Sequence, residues 1–277
     1  MPKPALLRVF ACLALAVVVA FAAGCTKTAT SSSTAIPGGS QAPAAAPGAV
    51  TALRISQPRP WSANPTSWKV TVAWHAPTGG GGVDHYEVAR DGRTVDRSVD
   101  ATSFQDGDVE PSATYHYQVT AVTADGSAGE PTSAVLKTGE PSLQDARLDG
   151  KYVTRFTPTS STLGMTQTLP ALVIFTANCK VGACDSVYRR SGLTGSGTLH
   201  ETGTSYTGSL SAPFAMLSCQ HSRINESLSF AIRVTKGAVV KGQWAASAFE
   251  GTLTEVASSS GCVTATNHWT ITGKTSQ

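Results

Sequence analysis

Charge is scarce in this sequence: only 14% of its 277 residues are Asp, Glu, Lys or Arg, and the formal net charge is +3. Lys and Arg nowhere gather into a block, which excludes the clustered basic surface that nucleic-acid-binding proteins present to phosphate. The common catalytic motifs are missing too. His200-Glu201 has no second histidine to complete His-Glu-x-x-His, and no Gly-x-Ser-x-Gly elbow occurs. No catalytic residue, metal or cofactor is expected. Helical periodicity is almost absent, and the apolar run at residues 9–23 falls short of the about 20 residues that span a membrane.

That run follows Lys3 and Arg8 and suits the core of a signal peptide, so residues 1–24 are expected to be removed after export. The segment Phe21-Ala22-Ala23-Gly24-Cys25 resembles a bacterial lipobox, with Ala22 where such boxes usually carry Leu. The resemblance implies a diacylglycerol on Cys25 and anchorage to the extracellular face of the cell membrane. Ala20-Phe21-Ala22 can also be read as an ordinary A-x-A cleavage site, which would release a secreted protein. Residues 25–48 are rich in Ser, Thr, Ala, Pro and Gly, too poor in apolar surface to fold, and read as a tether. The Ala-, Gly- and Thr-rich composition suits an actinobacterial source.

Two domains follow from the remaining length. Residues 49–140 carry 7 basic and 11 acidic side chains, whereas residues 141–277 carry 11 basic and 7 acidic ones. In the first, Trp68, Val70, Val72 and Trp74 alternate with polar residues as in a half-buried strand. Residues 85–90 form a second strand, closed by the hairpin signal Asp91-Gly92. A third spans residues 114–122, with Tyr115, Tyr117, Val119 and Ala121 on one face, and a last one covers 133–137. Arg90-Asp91-Gly92 is a turn and not an Arg-Gly-Asp motif. The order Val72-Ala73-Trp74, Tyr86-Glu87-Val88-Ala89-Arg90-Asp91-Gly92 and Val109-Glu110-Pro111 before Tyr115 resembles a fibronectin type III domain over its whole length. The resemblance implies a β-sandwich in which Trp74 is core and Tyr115 makes a corner hydrogen bond to nearby backbone. Trp61, in a proline-containing loop, either contacts a sugar or peptide by stacking or packs over the sandwich edge.

Residues 141–277 hold about nine strand candidates: 150–156, 171–177, 186–190, 197–201, 205–211, 227–234, 239–245, 251–255 and 267–272. Gly203-Thr204 and Lys236-Gly237 read as turns. An antiparallel barrel, or a second sandwich, would hide their edges, and the barrel is favoured. Leu148-Asp149-Gly150-Lys151-Tyr152 is similar to the opening of lipocalin-like barrels, with Tyr152 in place of Trp, which implies a mouth for one small apolar ligand unless side chains fill it. The domain's acids are Asp145, Asp149, Asp185, Glu201, Glu226, Glu250 and Glu255, and nothing in their spacing brings two together. His221 and His268 read as surface or packing residues. The four cysteines of this half read as two disulfides, Cys179–Cys184 across a hairpin and Cys219–Cys262, with a structural metal site as the alternative.

The chain is therefore expected to be all-β and without catalysis: a membrane-anchored extracellular binding, adhesion or sensor module. Its partner would be a protein, a glycan or a small apolar ligand. Two alternatives stand beside it, a component of extracellular polysaccharide breakdown and a purely structural envelope protein. If lipid holds the chain, Cys25→Ser moves it from the membrane fraction into the medium, read by immunoblot of both fractions. A wild-type protein already wholly in the medium would contradict anchoring.

Overall fold

A computed structural model describes residues 45–191, 195–219, 222–258 and 264–276, with backbone alone at 98, 212–219, 222 and 223. The expected signal segment 1–24, Cys25 and Cys262 lie outside the described residues, as does the side chain of Cys219. No α-helix occurs among the described residues.

The first domain is a sandwich of two sheets. Strands β1 (Thr51–Ser56), β2 (Val70–His75) and β5 (Ser103–Asp106) form one in the order β1-β2-β5. Strands β3 (His85–Arg90), β4 (Arg93–Val99), β6 (Thr114–Val122) and β7 (Thr132–Lys137) form the other in the order β4-β3-β6-β7. Val70, Val72 and Trp74 from the first sheet bury against Tyr86, Val88, Tyr117, Val119 and Ala121 from the second. Trp74 meets Tyr86 edge-on, with ring centroids 5.2 Å apart. The Asp91-Gly92 turn has both residues at positive φ, 51° and 78°, the two-residue hairpin geometry that its sequence signals.

The second domain is a closed barrel. Its strands are β8 (Gly150–Ser161), β9 (Leu169–Ala177), β10 (Ser186–Arg190), β11 (Gly197–Thr202), β12 (Ser205–Cys219), β13 (Ser222–Val240), β14 (Gln243–Ser258) and β15 (Ala265–Thr275). Each pairs antiparallel with its neighbour in sequence, and β15 pairs with β8 to complete the ring. The expectation of a barrel over a second sandwich therefore holds, with eight strands rather than nine. The candidate at 239–245 straddles the turn between β13 and β14, which is made by Lys241-Gly242, both at positive φ. Lys236-Gly237 is not a turn but an irregularity inside β13. Gly237 is there for packing: a Cβ would sit 2.3 Å from Trp244 Cζ2, so only glycine lets the indole lie against the strand.

Side chains fill the middle of the barrel. Phe175 contacts Tyr152, Tyr188 and Phe249 at centroid distances of 5.4, 5.8 and 5.5 Å, and Tyr188 stacks obliquely on Phe230 at 4.4 Å. The end nearer the sandwich is plugged by the segment that joins the domains. Leu148 is fully buried, its N–H donating to the Tyr206 hydroxyl and its carbonyl accepting from Ser186 Oγ at 2.7 Å. Ahead of it, Ser142 caps the short 3-10 turn Leu143–Asp145 and accepts from Trp244 Nε1 at 3.0 Å. Arg147 pairs with the backbone of Ala245 and Ala246 on β14, and its guanidinium donates to the carbonyls of Cys179 and Lys180. The Cys179–Cys184 disulfide closes that loop.

Candidate functional site

The most strongly charged cluster of the sandwich is fully paired. Arg90 donates to Asp106 Oδ2 at 2.7 Å and to Asp108 Oδ2 at 2.9 Å, and Tyr117 donates to Asp106 Oδ2 at 2.7 Å. Burial, then the Asp106 hydrogen bond, holds the Tyr117 hydroxyl protonated. With the Asp108 N–H donating to Asp106 Oδ1 at 3.0 Å, the Asp106 carboxylate has three donors and is satisfied, and this cluster reads as structure.

The barrel's far end is different. Alternation along β13 sends Glu226, Leu228, Phe230, Ile232 and Val234 inward, so one carboxyl stands in an otherwise apolar row. The same alternation directs Arg190 on β10, Glu255 on β14, and Asn267 and Trp269 on β15 into the interior. Glu255 Oε2 accepts from Trp269 Nε1 at 3.1 Å and from Asn267 Nδ2 at 3.2 Å, while Ser161 Oγ donates to Asn267 Oδ1 at 2.6 Å. Arg190 lies over the Phe156 ring, 5.1 Å from its centroid. Phe156, Leu169, Leu253, Trp269, Arg190 and Glu255 line a cavity of about 120 Å³.

Glu226 is 1% exposed, and none of the described residues donates a hydrogen bond to either of its oxygens. The Glu255 carboxyl acts on it, and a like charge nearby disfavours its ionised form. Burial, reinforced by Glu255 and opposed by Arg190, pushes Glu226 up to about 7. The neighbouring Tyr188 hydroxyl is also buried without a partner, and burial raises it. Three buried oxygens, two of Glu226 and the Tyr188 hydroxyl, thus have no hydrogen-bond partner among the described residues. Such groups cost roughly 1–3 kcal/mol each when left unmade.

The match to known families is confined to the other domain. Residues 56–138 match the model of the fibronectin type III domain family. This segment is a fibronectin type III domain. Domains of this kind commonly serve binding, adhesion or structural roles. No curated protein matches the chain. Within the fibronectin domain the two expected structural residues lie where the resemblance implies. Trp74 is buried, and the Tyr115 hydroxyl accepts from the Glu110 N–H at 2.8 Å. Trp61 is a correction: at 4% exposed it is no stacking platform. Its indole donates to Gln57 Oε1 at 2.8 Å and lies against Gly139, where a Cβ would fall 2.6 Å from Cδ1. Of the cysteine pairs, Cys179–Cys184 is formed, while Cys219–Cys262 falls outside the described residues. Glu226 and Glu255 went unselected among seven acids. The available signal was phase, since Glu226 shares the parity of Leu228, Phe230, Ile232 and Val234. Among the described residues, no group of three or more His, Cys, Asp or Glu is placed to hold a metal ion.

Raising an acid above its ordinary value means that the folded protein binds a proton the unfolded chain has released between about pH 4.5 and 7. Stability from this group is complete below that window and lost as pH rises through it. Glu226→Gln, which keeps the shape and stays neutral, should remove this slope. Urea midpoints at pH 5 and pH 8 are expected to fall for wild type by an amount that the variant does not show.

Proposed function

We propose that this is an exported, Cys25-anchored binding protein whose fibronectin type III domain is a spacer and contact module and whose barrel holds a small organic cation at its far end. The unpartnered Glu226 carboxyl carries the reading. A cation placed against Glu226 and Glu255 replaces the proton that Glu226 holds and supplies the missing donors. Glu255 and Arg190 line this cavity, and Glu226, which interacts with both, adds one negative charge in excess when ionised. The Phe156, Leu253 and Trp269 side chains suit a short alkyl stem, and the aromatic rings also attract a cation. The volume, about 120 Å³, is below the roughly 300 Å³ at which drug-sized pockets begin, so the ligand is small.

The same size argues against polysaccharide breakdown at this pair, since a glycosidase cleft must hold sugar on both sides of the scissile bond. A purely structural role would leave the carboxyl without purpose at a buried position where leucine would fit. Isothermal titration with short primary amines tests the reading. Binding is expected at pH 8, about tenfold weaker at pH 6 because the proton competes, and lost in Glu226→Gln. Failure of every amine to bind, or equal binding by the variant, would overturn it.

A further inference from the structure

The outer surface of the barrel carries a second feature that does not depend on the interior site. The barrel's register aligns side chains across β13, β14, β15 and β8 in rows. One outward row reads Arg233, Glu250, Thr272, Arg155; the next reads Lys236, Ala248, Lys274, Val153. Neighbouring strands lie about 4.8 Å apart, so these residues form a continuous face. Four cations meet one carboxylate there. Glu250 is already paired with Arg233 at 2.5 Å, and among the described residues Arg155, Lys236 and Lys274 have no ion pair. All three are exposed, and Lys151 continues the outward row of β8 beyond Val153.

The face is concave. Ala248 and Thr272 are short, and between the longer side chains they leave a groove of about 430 Å³, into which Thr235 and the 53%-exposed Val153 also project. Cations at the rim, hydroxyls within reach and a small apolar floor match a chain that carries acids, hydroxyls and C–H faces together. We propose that this groove binds an acidic polysaccharide. A lipid bilayer is a poorer match, because a flat surface does not enter a concavity and the one aromatic residue lining the groove, Phe249, is buried in the barrel interior and not free to insert.

The test uses the full chain and alginate, with neutral dextran and vesicles of phosphatidylcholine and phosphatidylglycerol as further arms. Alginate binding is expected to weaken steeply between 50 and 200 mM salt, on the order of tenfold or more for several released counterions. Lys236→Glu with Lys274→Glu should lower affinity at least tenfold and flatten the salt dependence, at an unchanged thermal midpoint. Lys236→Arg with Lys274→Arg should retain binding, and so should Arg54→Glu with Lys69→Glu on the sandwich. The proposal is overturned if wild type ignores alginate, if dextran or vesicles bind as well, or if the sandwich variant loses as much as the groove variant.

Discussion

Closure of β15 onto β8 is the constraint on which the second domain rests. Pairing from Asn267–Ser161 to Thr275–Tyr152 removes the last free edges of an eight-strand meander, so every strand spends its backbone donors within the ring. Closure also fixes which side chains are enclosed. With a period of two, alternate residues of each strand must share a narrow interior, and the aromatic cluster around Phe175 occupies its centre. One end is then sealed by Leu148 and the Trp244 indole, which donates to the Ser142 carbonyl of the segment that joins the domains. The opposite end keeps the polar residues that the same alternation turns inward.

What could be read from the chain follows from how far a signal extends. Alternation marked β2, β3 and β6 with nearly correct bounds, because apolar residues there repeat strictly. Strands β1, β4 and β5 passed unmarked: Arg93–Val99 is mostly polar, and Val99 alone is buried among its described side chains, so its pattern is diluted at a sheet edge. Long strands were read as fragments. β13 runs from Ser222 to Val240, yet its last turn of sequence, Lys236-Gly237, has turn composition for a reason of packing that only Trp244 reveals. Trp61 illustrates the reverse case. Its exposed-looking, proline-bounded context hides an indole held by Gln57 and Gly139, a residue distant in sequence.

The candidate site was the least legible part. Glu226 and Glu255 are 29 positions apart, and only the β13–β14 register brings them onto diagonal positions, with Glu226 opposite Ala257 and Leu228 opposite Glu255. A single acid in an apolar phase was the visible mark, and it gained meaning once the barrel was closed around it. The two proposed binding surfaces divide by sign. The interior end offers carboxyls to a cation, and the exterior of β13, β14, β15 and β8 offers cations to an anionic chain, which places the excess base of residues 141–277 on one face.

The most direct measurement is a carbon-13 NMR titration of the Glu226 side-chain carboxyl, assigned by comparison with Glu226→Gln. Burial of the Glu226 carboxyl beside Glu255 predicts a midpoint near 7. A single midpoint in the ordinary glutamate range of about 4 to 5 would contradict it.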